Sequence, residues 1–247
     1  KKIIGSKIIN IKRRSKYLLF VLDKRFSIIV HLGMTGKFFI IKKNHNRQKT
    51  SFYYDVQNYS EKHNRVIFIL SKKIKLIYND IRKFGFIKIL SLKKINESQH
   101  LKTLGPEPFD NFFNLRYFKN FILGKNRSVK DLLMDQKFLS GLGNIYVNEI
   151  LFFSKIKPSR KINRLKDEEI KKIILNTRKI IKKAIILGGS SIKDFTNSIG
   201  KKGNFQQHFK VYGKKGKKCS NSDCNGTIKK VAILQRATFF CSVCQKY

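Results

Sequence analysis

The sequence predicts an α+β protein with an N-terminal antiparallel β-sandwich or barrel, a helical middle and a C-terminal four-cysteine β-hairpin. Three observations predict it. Short β-branched and aromatic runs fill residues 3–90, the apolar period lengthens to that of a helix after about residue 105, and all four cysteines lie between Cys219 and Cys244. The 247 residues suffice for more than one hydrophobic core. The composition shifts divide them into a β domain at 1–95, a helical domain at 96–210 and a metal hairpin at 211–247.

From Ile3 to about Leu90, "KIINIKRRSKYLLFVL", "FSIIVHLGMTGKFFII", "RVIFILSKKIKLIYND" and "FGFIKIL" are strand-length runs separated by turns. Their side chains suit a pleated, half-buried surface, so they read as antiparallel strands. The polar stretch "KKNHNRQKTSFYYDVQNYSEKHN" reads as a connection. From "GPEPFDNFFNLRYFKNFI" the spacing becomes helical, and residues 128–187 read as helix almost throughout, with "LGGSS" as the stop. Within them, "SVKDLLMDQKFLSGLGNIYVNEILFF" reads as helix, glycine-rich turn, helix. Ser128 caps the first helix, Gly141 and Gly143 permit the turn, and Asn144 begins the second. Backbone amides at such a turn favour an anion.

The cysteines follow C-x4-C, sixteen residues, then C-x2-C. Two short chelate loops so spaced present Cys219, Cys224, Cys241 and Cys244 to one tetrahedral zinc, and four sulfur ligands leave no open position for catalysis. The expected cofactor is one structural Zn2+ that folds a hairpin too short for its own core. Between the ligand pairs "LQRATFF" alternates like a strand, and Arg236 is the one charge between Val231 and Cys241. It is either a rigidly mounted guanidinium aimed at phosphate or a solvated strand residue.

Fifty-five Lys and Arg against fifteen Asp and Glu give a formal charge of +40, which implies a polyanionic partner. AT-rich coding would also yield a chain rich in Lys, Ile, Asn and Phe with three Pro and no Trp, so the positions of single cations say more than their sum. No run approaches the roughly 18 apolar residues of a membrane span. No signal peptide is visible either, and a cytoplasmic protein without a membrane partner is expected.

Taken together, the helix-turn-helix stretch and "QRATFFCSVCQK" resemble the helix-two-turn-helix and zinc-finger ending of the bacterial formamidopyrimidine-DNA glycosylases. "RRSKYLLF", "HLGMTG", "DIRKFG", "LGPEP" and "GNFQQHFKVYG" fall in that family's order, so the resemblance covers essentially the whole chain. "HLGMTG" and "GLGNIYVNEILF" look like this branch rather than the sister group that acts on oxidised pyrimidines. The resemblance implies a monomeric, nucleoid-associated base-excision-repair enzyme. Such an enzyme flips 8-oxoguanine or a formamidopyrimidine out of damaged double-stranded DNA, excises it and cleaves the abasic site.

By the same resemblance, Arg236 and Asn144 grip phosphates flanking the lesion. Lys16, His31 and Lys130 face the kinked backbone, and His63 and Arg65 add DNA contacts. Lys16 also matches a proton-donor position. Cationic arms of this kind can brace a backbone pulled out of line by an extruded nucleotide. Met34, Arg82 and Phe84 match residues that fill the void left by the base, although residue type alone would place Met34 and Phe84 in a core. The segment "SIGKKGNFQQHFKVYG" matches the part that closes over the extruded base, with Tyr212 and nearby backbone amides reading the base edge. Glu149 matches a carboxylate near the active site, or is a helix-surface glutamate.

The sequence departs from the family pattern in two places. The resemblance implies an amino-terminal proline nucleophile, an acidic residue after it and a short helix, whereas "IIGSKIINIKRRSK" matches a point several dozen residues further in. The chain starts Lys-Lys-Ile-Ile-Gly without an initiator methionine, so residues upstream are expected. The alternative is a degraded relative that binds damaged DNA without cutting it. The first ligand pair is C-x4-C where the family usually has C-x2-C, a larger knuckle that still permits tetrahedral sulfur.

Overall fold

Among the described residues, the first hundred positions form eight strands: β1 (Ile8–Arg14), β2 (Tyr17–Leu22), β3 (Phe26–His31), β4 (Lys37–Ile41), β5 (Arg47–Lys49), β6 (Asn64–Ile69), β7 (Lys75–Asn79) and β8 (Phe86–Ser91). The computed structural model describes residues 2–42, 47–49 as backbone, 59–190 and 204–246. All pairings in this region are antiparallel, in two separate sheets ordered β1-β2-β3-β8 and β5-β4-β7-β6. The architecture is therefore a sandwich, not a barrel. Phe20, Leu22, Ile28 and Val30 of one sheet pack on Phe38, Leu76 and Tyr78 of the other. Phe20 meets Phe38 edge to face, with centroids 5.5 Å apart.

Each of those large apolar side chains contributes roughly 1.5–3 kcal/mol by leaving water. Inner strand β3 is an almost unbroken apolar run because it is buried on both faces: Ile28, Ile29 and Val30 are all inaccessible or nearly so. An apolar groove of about 950 Å³ is lined by Ile3, Ile8, Phe20, Leu22, Phe68 and Leu76 among others, and none of the candidate DNA-contacting residues borders it.

The stretch expected as a plain connection contributes one strand. Residues of β5 pair with β4, Phe39 opposite Lys49, through backbone ladder bonds that need no apolar side chain, so the polar sequence hid them. Residues 43–46 and 50–58 of that connection lie outside the described residues.

By compactness the chain divides in two, Lys1–Lys102 with Leu187–Gln206, and Thr103–Ile186 with Gln207–Tyr247. The second unit contains α1 (Leu115–Ile122), α2 (Val129–Met134), α3 (Asn144–Phe153), α4 (Asp167–Ile186), β9 (Ile228–Ile233) and β10 (Arg236–Cys241). Ser128 caps α2 as expected, its side chain accepting from the Asp131 N–H at 3.2 Å. Asn144 opens α3, with Gly143 as the extended N-cap residue.

Residues 128–187 are less continuously helical than periodicity suggested. Helix α2 stops after six residues, Gly141 turns the chain with φ +97, and a connection containing Pro158 and one short 3-10 turn, Ile162–Arg164, separates α3 from α4. The apolar positions that imitate one long helix instead bury Phe138, Leu139 and Leu142 in the loop between α2 and α3. Phe138 sits 4.9 Å from both the Phe118 and Phe121 rings of α1.

Strands β9 and β10 form an antiparallel hairpin, Ile233 opposite Arg236. "LQRATFF" is not one strand. Leu234 and Gln235, at φ +53 and +54, make the two-residue turn, and the strand starts at Arg236.

Candidate nucleic-acid interface

In the β unit, the loop after β3 and the loop after β7 are held together by one carboxylate. Asp80, fully buried, accepts from the Thr35 hydroxyl, the Tyr78 hydroxyl at 3.1 Å and the Gly85 N–H at 2.9 Å. Thr35 in turn accepts from the Arg82 N–H at 3.0 Å. Burial pushes the Asp80 carboxyl up, but the donors from Thr35, Gly85, Tyr78 and Arg82 outweigh it and hold it below its ordinary range. The loops approach so closely that a Cβ at Gly33, whose φ is +63, would lie 2.6 Å from the Gly85 nitrogen.

This scaffold projects Met34, Arg82 and Phe84 outward, together. Met34 is 54% exposed and Phe84 57% exposed, so neither is a core residue. The Arg82 guanidinium reaches the Met34 sulfur at 3.2 Å and lies 4.5 Å from the centre of the Phe84 ring. Two exposed apolar side chains and a guanidinium are thus gathered on a glycine-tight tip.

His31 sits at the end of β3, half-buried, with its Nδ1 accepting from the Gly33 N–H at 3.0 Å. Its ring packs 5.1 Å from Tyr17 and 5.9 Å from Phe86. Burial, then the charges of Lys16 and His100, lower its pKa. Lys16 is exposed in the turn before β2. His63 is half-buried and its carbonyl accepts from Asp80 N–H at 3.0 Å, while Arg65 Nε donates to the Asp80 carbonyl at 2.9 Å. Those two residues thus brace the Asp80 turn.

In the helical unit, three expected DNA-binding residues converge on the start of β10. Lys130 Nζ donates to Thr238 Oγ1 at 2.6 Å and to the Ala237 carbonyl at 3.3 Å, and Asn144 Nδ2 donates to the same carbonyl at 2.9 Å. Arg236, one residue before, is exposed beside the hairpin turn. Lys130 is not the outward-facing arm that its charge suggested. It is fully buried, and burial with the nearby Arg236 charge lowers its pKa to about 8. Asn148, which the sequence reading passed over, is also fully buried and accepts from the Phe239 N–H at 2.7 Å. Asn144 and Asn148, one turn apart on α3, therefore bind β10 at two points.

Glu149 is not a helix-surface residue. It is buried, and its carboxylate accepts from the backbone N–H groups of Lys210, Val211 and Tyr212. Those amides are thereby occupied, not turned toward a base edge. The Tyr212 ring packs edge to face on Phe239 at 5.1 Å and on Phe209 at 5.7 Å. Residues 198–203 of the segment expected to close over a base lie outside the described residues.

The four cysteines meet, all four sulfurs within 4.8 Å of one another. The Cys219–Cys244 and Cys224–Cys241 separations are 3.7 and 3.5 Å, too long for disulfides. Sulfurs about 2.3 Å from a tetrahedral ion are about 3.8 Å apart, so the set can hold a metal. Burial opposes a Cys241 thiolate, but the N–H groups of Cys244 and Val243 and the adjacent thiols bring its pKa to about 7. Cys219, Cys224 and Cys241 pack with Phe152, Val211, Ile228 and Phe239, which ties the metal knuckle to α3.

The model of the formamidopyrimidine-DNA glycosylase N-terminal domain matches residues 1–87, and that of the family's H2TH domain matches residues 104–196. The chain belongs to the formamidopyrimidine-DNA glycosylase family. A relative of that name from Rickettsia conorii is 38% identical over 242 residues, 98% of this chain and 83% of its own length. Another from Roseobacter denitrificans is 34% identical over 99% of this chain and 85% of its length.

Among solved structures, the Lactococcus lactis family member bound non-covalently to AP-site DNA aligns with a TM-score of 0.80 at 33% identity, over 98% of this chain and 83% of that one. A G226P mutant of the same protein, in complex with DNA containing Fapy-dG, gives 0.83 at 34% identity with the same coverage. Family membership accounts for the sandwich, the helices and the four-cysteine ending in one chain. No helix among the described residues is long and apolar enough to cross a membrane.

Proposed function

We propose that this chain acts in base excision repair as a DNA glycosylase with abasic-site lyase activity, removing oxidised purines such as 8-oxoguanine and formamidopyrimidines from duplex DNA. The carrying observation is the exposed Met34–Arg82–Phe84 cluster on its Asp80-braced tip. Flipping a base leaves a gap costing a few kcal/mol, and a thioether, a stacking guanidinium and an aromatic ring held together are suited to fill it. Arg236, exposed on the hairpin, would supply a phosphate contact, and Lys16 and His31 would supply others from the β unit. Tyr212 would meet the extruded base through its ring.

The cysteine set fits zinc: four sulfurs gathered at tetrahedral spacing. Cys219, Cys224, Cys241 and Cys244 would hold it, and its contribution would be to fold the hairpin that carries Arg236. The working form is a monomer on damaged duplex DNA, in the bacterial cytoplasm at the nucleoid.

Gel shift with an abasic-site duplex, followed by borohydride trapping, tests the reading. Tighter binding to the abasic than to the undamaged duplex is expected, and equal binding refutes it. A covalent protein–DNA band identifies an amine of this chain as the nucleophile. A shifted complex without that band means that these 247 residues recognise damage without performing the chemistry.

A further inference from the structure

Glu149 is 1% exposed, yet its carboxylate spends all its described hydrogen bonds on a single turn of backbone. Oε2 accepts from the Lys210 N–H at 2.8 Å, and Oε1 accepts from Val211 at 3.0 Å and Tyr212 at 2.9 Å. Consecutive N–H groups converging on one anion form a cradle of the kind that elsewhere binds phosphate. Here the anion is supplied by the protein itself. Burial raises the Glu149 pKa, and the three donors reduce that rise without reversing it.

Two consequences follow from which residues are held. Val211 is fully buried against the metal-knuckle cysteines, so the captured turn is anchored on one side. Tyr212, the next residue, has its ring set against Phe239, whose own N–H is bound by Asn148, the neighbour of Glu149 on α3. One turn of α3 thus fixes the backbone of Tyr212 and that of Phe239, one of the rings on which the Tyr212 side chain packs.

We propose that Glu149 is a positioning residue for lesion recognition: its carboxylate folds Lys210–Tyr212 into a fixed turn, thereby aiming the Tyr212 ring, and does not touch the DNA. The proposal rests on the reading of Tyr212 as a contact to the extruded base. It also makes a chemical distinction. Because Oε1 alone serves Val211 and Tyr212, a glutamine retains two of the three bonds and opposes only the Lys210 N–H with its amide group. A leucine retains none.

The test measures affinity of the 247-residue chain for two duplexes, one carrying 8-oxoguanine on a non-cleavable sugar and one carrying a tetrahydrofuran abasic analogue. Glu149→Leu is expected to weaken the 8-oxoguanine complex about tenfold and Glu149→Gln no more than about threefold, because the first frees the turn entirely and the second leaves two of its three bonds in place. The abasic complex, which has no base for Tyr212 to meet, should change by less than about twofold in both. In a Tyr212→Ala background the Glu149 substitutions should add nothing.

Glutamine as damaging as leucine would mean that the negative charge itself is needed, and would overturn the proposal. So would equal weakening of both duplexes, the signature of a merely structural role, or additivity with Tyr212→Ala. Should Glu149→Leu fail to fold, the Glu149→Gln and Tyr212→Ala cycle decides the matter in the same way. An unmutated chain that binds the two duplexes equally would sink the base-contact reading of Tyr212 first, a failure visible in the control before any variant is compared.

Discussion

Lys130→Met should make the protein more stable at neutral pH, and the gain should disappear in alkali. The Lys130 ammonium is buried, with Thr238 Oγ1 and the Ala237 carbonyl as acceptors, and the like charge of Arg236 acts on it. Its pKa falls from 10.5 to about 8. At about 1.4 kcal/mol per unit this disfavours the charged native form by about 3 kcal/mol at pH 7, or about 2 kcal/mol after solvent screening.

Methionine fills a similar volume and leaves few orphans. The Ala237 carbonyl keeps Asn144 Nδ2, and the Thr238 hydroxyl still donates to the Arg236 carbonyl. Losing the lysine hydrogen bonds costs about 1 kcal/mol, for a net gain near ~1 kcal/mol. The unfolded chain binds more protons than the native one between about pH 8 and 10.5. Wild-type stability therefore rises with pH across that window, while that of the variant lacks this rise. Urea unfolding followed by far-ultraviolet circular dichroism at pH 7 and at about pH 9.5 reads the difference. A variant destabilised by about 2 kcal/mol at pH 7, or a difference that ignores pH, would refute the claim that burial dominates at this lysine.

Three further outcomes are expected. Arg236→Ala should reduce the slope of log affinity against log salt by about 0.9, one phosphate contact, in fluorescence anisotropy titrations; an unchanged slope returns Arg236 to a solvated strand position. Asp80→Ala strips partners from the Thr35 and Tyr78 hydroxyls and the Gly85 N–H and should cost about 3 kcal/mol in denaturant unfolding. Because the native Asp80 carboxyl lies below its ordinary value, that contribution is present above about pH 4 and fades as the pH falls further, so the wild type and variant should converge in acid. Cys241→Ser, or a chelator, should release the β9–β10 hairpin and weaken DNA binding with it; affinity that survives either treatment would remove the metal knuckle from the binding surface.

Local pattern was enough for a good part of this protein. Strand-length runs of β-branched and aromatic residues specified antiparallel strands, leaving sandwich or barrel open, because such side chains suit a pleated surface, and cysteine spacing specified a metal-competent knuckle because chelate loops must be short. Ser128 and Asn144 marked the two helix starts, since capping is decided within a few residues. Strand β5 escaped because a polar edge strand is held by backbone ladder bonds, and helical period carried across the α2–α3 loop because buried Phe138, Leu139 and Leu142 imitate it.

What only the tertiary structure decided was the environment of each polar side chain. "DIRKFG" contains Asp80 as one acid among fifteen, and nothing local says that Thr35, 45 positions earlier in the chain, joins the near neighbours Tyr78 and Gly85 on its carboxylate. The same holds for Met34 and Phe84, whose type favours a core and whose position on braced loops exposes them. It holds also for Lys130 and Glu149, surface residues by type that are buried by contacts 61–108 positions away in the chain. A charge costs little in water and much inside the protein, so its meaning depends on neighbours that long-range folding alone supplies.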